Sequence, residues 1–547
     1  MVPPMKYAAR IFAIPILAKM GRALGMSWNS LGDRLGREVI LAQAPSIVAD
    51  LPDESVAQSD KPLDIVCLTM IGGHAYNTSV DIVLGLALKA RGHKVRFVVC
   101  DQQLSACEVK KANNRDNWEK ACSKCWSYGR SVYSKFNLDL IKVSDLIAGR
   151  TLEADTGRWK ETVEASLLKH FGIGVLDDSE KITARRIEYQ KAVEVSQKIG
   201  EALVEMKPDR VLMSHGIYST WGPQRELLND ADIPVVTFSK CKKLHTQKFN
   251  WETSADWWDV SNEWERVKDT PLTASQNEML DRYLDSRRDH SADTLKYNFG
   301  AEESQSATYD RLGLDPDKQT FIAYTNVLWD AASAHREIVF SDPITWIIDT
   351  IKWFADHPER QLVVKVHPAE IVIGTNQPFV SIIEQRVPEL PDNVRVIKPD
   401  EQVNSWSIMQ IADLGLVHTS TIGMEMPLED IPCAVVSRTH FRDRGFTFDV
   451  NTQAEYFDLI EKWDRSQFDA ETSKEYARRY AFLLFERYQL PFPFFHEPEH
   501  TNVRAMNFDS VNALAAHPVM ELICDSIESK KEFLLPADAE KTKEFCQ

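Results

Sequence analysis

Two short segments of this chain carry residue types that handle phosphates and hydroxyls: Lys365-Val366-His367-Pro368 and, further along, His418-Thr419-Ser420-Thr421-Ile422-Gly423-Met424-Glu425. Each follows an apolar run of strand length, so each reads as a polar loop at the carboxyl end of a buried strand. Open α/β sheets bind nucleotides at that edge. Lys365 and His367 stand two apart and share a face on which a phosphate or diphosphate can be met. Thr419, Ser420 and Thr421 are helix-capping types, and Gly423 allows close approach of backbone. Glu425 falls in the first helical turn, where it either accepts hydrogen bonds from sugar hydroxyls or complements the helix dipole. Pro427 restricts that helix to a short or kinked one.

The first half of the chain repeats the pattern with histidines. His74 lies in Met70-Ile71-Gly72-Gly73-His74-Ala75-Tyr76-Asn77-Thr78, and His215 in Ser214-His215-Gly216. Either imidazole can take a proton from a hydroxyl or donate to a phosphate near neutral pH, and either can equally be a turn histidine bonded to backbone. The Gly72-Gly73 pair permits a tight turn or an anion at the following helix N-terminus, but it is not the spacing of a dinucleotide fingerprint. Cys100, Cys107, Cys122 and Cys125 raise the possibility of a structural zinc. Their first spacing is wider than a metal knuckle uses, so free thiols are the favoured reading and no metal is expected.

Elements that position these loops can be read from periodicity. Leu63–Leu68 and Val95–Val99 are expected strands around a helix over Thr78–Arg91, with Arg210–Met213 and Val235–Phe238 as further strands. Ala192, Val195, Ile199, Leu203 and Met206 mark a helix face between them. A second set follows at Phe321–Tyr324, Gln361–Val366, Val394–Ile397, Leu414–Val417 and Cys433–Val436, with helices over Pro343–Asp356 and Gln402–Ala412. A last helix is expected over Ser473–Tyr488, before Pro491 and Pro493. Alternation of strand and helix in two sets predicts two doubly wound α/β domains. The expected organisation is an N-terminal helical extension and linker at 1–60, a first domain at 61–250, a helical connection at 251–304, a second domain at 305–455 and a helical tail at 456–547.

The 547 residues are too many for one core, and 44% hydrophobic with 27% charged residues is ordinary for a soluble globular protein. A net charge of −17 argues against a general nucleic-acid binder. Nine irregularly spaced cysteines fit a reducing cytoplasm. The apolar run Ile11–Ala18 is too short to span a bilayer. With Lys6, Arg10, Lys19 and Arg22 around it, it reads as a packed helix or, alternatively, as a peripheral contact with the inner membrane.

Val363–Glu370, then Thr419–Glu425, then Arg442-Asp443-Arg444-Gly445-Phe446-Thr447-Phe448-Asp449 together resemble bacterial capsule polysaccharide biosynthesis proteins, GT-B-type glycosyltransferases that include Kdo transferases. The match is best over 320–455 and weaker but collinear over 63–245. The resemblance implies two Rossmann-like domains facing a cleft, with the tail returning to the first. It also implies transfer of a sugar from a nucleotide-sugar donor to a surface or capsular polysaccharide, with a glycan or glycolipid acceptor and neither cofactor nor metal. By position, Asn326, Asp330, Lys365, His367, Ser420, Thr421, Gly423 and Glu425 would hold the donor on the second domain. Trp329 would line the site, while His74 and His215 would serve catalysis from the acceptor side. Asp430-Ile431-Pro432, where relatives commonly have Gly-Lys-Pro, departs from the pattern, as does Pro427. A glycerophosphotransferase, a nucleotide-sugar epimerase or a non-catalytic assembly protein are the alternatives the same fold allows.

Overall fold

The computed structural model describes residues 28–51, 61–108, 118–151, 157–288, 291–293, 300–330, 335–497 and 503–545. The basic segment around Ile11–Ala18 and nearly all of the expected linker lie outside them. The chain divides into two compact units, one of residues 1–170, 178–256 and 489–547, the other of residues 171–177 and 257–488. Each is a doubly wound α/β unit, the composition expected of a GT-B chain.

The first sheet contains β1 (Asp64–Met70), β2 (Lys94–Val99), β3 (Asp139–Lys142), β4 (Arg210–Ser214), β5 (Val235–Lys240) and β6 (Thr246–Trp251), in the order β6-β5-β4-β1-β2-β3. Strands β1 to β5 pair in parallel, whereas β6 returns antiparallel to β5 and carries Leu490–Pro491 on its outer edge. The central strands are continuous apolar runs because helices cover both faces. Helix Ala75–Ala90 is buried along nearly its whole length, and Gly85 is required in it, since a Cβ there would stand 2.2 Å from the Phe97 ring. Helix Pro518–Ser529, second from the carboxyl end among the described residues, is fastened to the same unit: Arg91 and His93 bind Glu528 at 2.6 and 2.8 Å, and Arg210 donates to the Ile527 carbonyl at 2.8 Å. At the other terminus, Gln43 of helix Trp28–Ile47 exchanges a reciprocal pair of hydrogen bonds with the Met506 backbone at 3.0 and 2.9 Å.

The second sheet is parallel throughout: β7 (Thr320–Tyr324), β8 (Gln361–Lys365), β9 (Val394–Ile397), β10 (Leu414–Val417), β11 (Cys433–Val435) and β12 (Phe448–Asp449), in the order β12-β11-β10-β7-β8-β9. Helix Pro343–Ala355 begins where Asp342 caps the Thr345 N–H at 2.7 Å, and it lays Trp346, Ile347, Ile351 and Phe354 on the sheet.

Three expectations change. The helix expected over Gln402–Ala412 is only Ser405–Met409, because Asn404 caps Trp406 and Ser407 and starts it late. Residues 456–488 stay in the second unit, and only those from Gln489 onward join the first. The expected Ser473–Tyr488 helix is α-helical over Ala470–Phe482 and widens to a π-helix over Leu483–Tyr488. Among the described residues, no helix is long and apolar enough to cross a membrane.

Candidate functional site

Each sheet reverses its strand order once, between β1 and β4 in the first unit and between β7 and β10 in the second. Loops diverge at such a switch point and leave a crevice at the carboxyl edge. The histidine loops of the first half follow β1 and β4; in the second unit the loop of His418–Thr421 follows β10, and the Lys365–Pro368 loop lies one strand beyond β7, after β8.

In the first unit, the loop after β1 enters its helix through His74, whose Nδ1 accepts the Asn77 N–H at 3.4 Å. His74 therefore acts as a helix cap. Asn77 Nδ2 donates to Ser214 Oγ at 2.9 Å and ties this loop to the end of β4. Gly72 and Gly73 serve packing rather than an anion: added Cβ atoms would lie 2.8 Å from Gly129 Cα and 2.9 Å from Cys125 Cα. Helix Trp118–Lys135 occupies the space they leave.

His215 is held far more rigidly. It adopts a left-handed φ of 53°, its N–H donates to the Phe238 carbonyl at 3.1 Å, and its carbonyl accepts the Ser254 hydroxyl at 2.6 Å. Its Nδ1 donates to Asp256 Oδ2 at 2.7 Å, and the other oxygen of Asp256 is 3.3 Å from the buried Lys248 ammonium. Burial alone would raise the Asp256 carboxyl, yet Lys248 and His215 hold it well below the usual carboxylate range. A carboxylate on Nδ1 fixes the tautomer that leaves Nε2 as the base and stabilises the imidazolium once a proton arrives.

Asp256 carries no motif, and sequence reading misses it. After β6 the chain turns at Glu252 and runs back over β5. There the Thr237 hydroxyl donates to the Thr253 carbonyl at 2.7 Å and accepts the Ala255 N–H at 2.8 Å. That return path delivers the carboxylate to the edge where β4 ends.

Cys100, Cys107, Cys122 and Cys125 line one small apolar pocket with Met70 and Ile71, and all four are free thiols. Burial pushes Cys100 up and Cys125 up to about 11, and Cys125 Sγ accepts the Gly73 N–H at 3.0 Å. Among the described residues, no group of three or more His, Cys, Asp or Glu side chains is placed to hold a metal ion.

In the second unit, Asn326 Oδ1 accepts the Thr419 N–H at 3.2 Å and joins the loops after β7 and β10. The His367 N–H donates to Thr325 Oγ1 at 3.0 Å, and its Nδ1 accepts the Ala369 N–H at 3.0 Å. Asn326, His367, Thr419, Ser420 and Thr421 are partly exposed at this edge, and Asp330 is exposed on the β7 loop. Helix Ile422–Leu428 has seven residues and ends just after Pro427, and the Thr421 side chain does not cap it.

Three of the expected donor residues lie deeper than their positions implied. Lys365 is buried with Nζ 3.4 Å from the Val403 carbonyl, and burial brings its ammonium down to about 8 against the pull of Glu401. Gly423 admits Val417, which would stand 2.7 Å from an added Cβ. Glu425 is buried in an ion pair with Arg287, whose guanidinium also reaches Asp293 at 3.2 Å. Burial would lower Arg287, but Glu425, Tyr283 and Asp293 push it above its ordinary value. The Glu425 carboxylate is thus ion-paired with Arg287 inside the second unit. Arg442 likewise clamps the sheet edge, donating to the carbonyls of Val435 and Val450 at 3.0 and 2.9 Å.

His418 opens the β10 loop and is 1% exposed, with neither ring nitrogen hydrogen-bonded. Burial pulls it down to about 4 from 6.5, opposed only by Asp342. The unfolded chain therefore takes up this proton first as pH falls. We expect stability to decline from about pH 6.5 to about pH 4, by about 3 kcal/mol from this group. Urea denaturation of His418→Leu across that window should show a flatter decline than wild type; an unchanged slope would assign the loss to other groups.

No family model matches the chain, and no curated protein matches it. Solved structures with some likeness include a Thermosulfurimonas dismutans KpsC beta Kdo 2,4 transferase, at 14% identity and TM-score 0.35, covering 56% of this chain and 88% of that one. The glycosyltransferase SnogD from Streptomyces nogalater matches at 14% identity and TM-score 0.22, over 77% and 95%. A UDP-GlcNAc 2-epimerase from Neisseria meningitidis matches at 12% identity and TM-score 0.24, over 76% and 97%. Likeness this distant carries no argument, and the fold assignment rests on the strand order of the two sheets.

Proposed function

We propose that the chain is a glycosyltransferase that moves a sugar from a nucleotide-sugar donor to a surface or capsular polysaccharide acceptor. The observation that carries this reading is the His215–Asp256 pair at the switch point of the first sheet, a base suited to an acceptor hydroxyl. The loops after β7, β8 and β10 of the second sheet offer a donor the Asn326 and His367 side chains and the hydroxyls of Thr419, Ser420 and Thr421. In the reaction, His215 Nε2 takes the acceptor proton as the acceptor oxygen bonds to the anomeric carbon. The bond from that carbon to the donor phosphate breaks, and its electron pair leaves with the nucleotide. Asp256 holds the imidazolium that results. The charge left on the phosphate is met by His367, by backbone N–H groups and, through the field of a buried ammonium, by Lys365. Turnover is therefore expected to persist in excess EDTA.

Thermal-shift measurement against CMP-, UDP-, GDP- and CDP-linked sugars tests the donor half. One class should raise Tm, since a ligand bound at 100 times its Kd stabilises by ~2.7 kcal/mol. Asn326→Ala should reduce that shift. No shift with any donor would leave a non-catalytic assembly protein as the better reading. Product analysis separates the enzymes: an epimerase alters the donor sugar without an acceptor, and a glycerophosphotransferase requires CDP-glycerol.

A further inference from the structure

The first unit holds a second feature at its carboxyl edge. Where β5 turns into β6, Lys243, His245, His496, Asn507, Phe495 and Phe545 line a pocket of about 360 Å³. That volume is in the range of small-molecule sites, which combine apolar walls with a few convergent polar groups.

Most of the polar groups are nitrogen donors. Lys243 and His245 come from the β5–β6 turn, where His245 is exposed with a left-handed φ of 53°, and His496 comes from the short strand Phe495–His496. Among the described lining residues the carboxylate is Glu497, which is ion-paired with Lys240. Burial, with His245 and the buried Arg504 acting in the same direction, lowers His496 and favours its neutral form, which can still donate one N–H to a phosphate oxygen. Asn507 Oδ1 has no hydrogen-bond partner, and a ligand hydroxyl would satisfy it. Phe495 and Phe545 add flat apolar surface against which a ring can lie.

The pocket is also connected to the histidine loop after β1. Tyr76, two residues beyond His74, meets Phe495 edge-on at 5.3 Å and donates to Gln247 Oε1 of β6 at 2.7 Å. Phe495 thus stands between the pocket and the helix that follows that loop.

We propose that this pocket binds a phosphate ester carried on a sugar ring, the phosphate against Lys243, His245 and His496, the ring against Phe495 and Phe545. Its role as an acceptor subsite rests on the glycosyltransferase reading, but binding itself does not. The phosphate can belong to a free sugar phosphate or to a phospholipid-linked glycan.

Calorimetry on the full chain tests the proposal with glucose 1-phosphate and glucose as probes. Glucose 1-phosphate should bind at least ~10-fold more tightly than glucose, and His245→Ala and His496→Gln should each weaken it by a comparable factor. Equal affinity for the two probes, or no loss in either variant, would overturn it. His245 is exposed, so His245→Ala should fold normally, and its unchanged Tm serves as the control. Co-sedimentation with vesicles of phosphatidylglycerol in phosphatidylcholine, compared between wild type and His245→Ala, shows whether a lipid supplies the phosphate. Glucose 1-phosphate binding without any nucleotide-sugar shift would keep this site and sink the transferase reading; the converse would do the opposite.

Discussion

Replacing His215 with alanine is expected to lower kcat by ~10²–10⁴ while the KM for the donor stays near wild type. The separation follows from where the residue sits. His215 belongs to the first unit, whereas the proposed donor contacts Asn326, His367 and Ser420 belong to the second. Asp256→Asn should cause a loss of the same order with little change in volume. An amide in place of the carboxylate no longer selects the tautomer protonated on Nδ1 and no longer stabilises the imidazolium. The 2.7 Å contact from Nδ1 to Asp256, with Lys248 on the other carboxylate oxygen, fixes the orientation of this imidazole at the switch point. Steady-state kinetics with the donor found by thermal shift, together with that shift for both variants, is the measurement. Retained turnover in His215→Ala would exclude it as the base and leave His74, which the fold uses as a helix cap, as the next residue to test.

Glu425→Ala should destabilise the second unit by ~3–5 kcal/mol, because it removes one of the two carboxylates that pair with the buried Arg287 guanidinium and leaves Asp293. Both partners are about 7% exposed, so water cannot replace the lost carboxylate. The double variant Arg287→Met, Glu425→Leu should recover much of the loss, since an apolar pair of similar volume avoids the unpaired charge. Urea denaturation checks both. A loss below ~1 kcal/mol accompanied by a weakened donor shift would instead mean that Glu425 contacts the donor, as its position in the motif implied.

Residues far apart in sequence explain which parts were legible. The strands were, because a parallel sheet covered on both faces needs uninterrupted apolar runs, and Leu414–Val417 or Val363–Lys365 can be little else. Strand ends were legible for the same reason, and with them the edges where His215, His367 and Thr419 sit. β3 and β6 were not: they lie toward the sheet margins, and Thr246-Gln247-Lys248-Phe249-Asn250-Trp251 reads as polar, although Gln247 and Lys248 are buried. Helices Trp118–Lys135 and Lys160–Phe171 escaped because their polar residues mask the periodicity.

The amino-acid sequence by itself determined that this chain forms two α/β units and that polar loops stand at the carboxyl ends of their strands. It did so because local burial imposes local composition. Which side chains those loops bring together was decided only by the tertiary structure. Asp256 reaches His215 because the chain folds back over β5, and Arg287 claims Glu425 from 138 residues away. Gly72 and Gly423 are required by neighbours that no spacing announces. A partner is selected by the path of the backbone in three dimensions, and a motif records only one side of the pair.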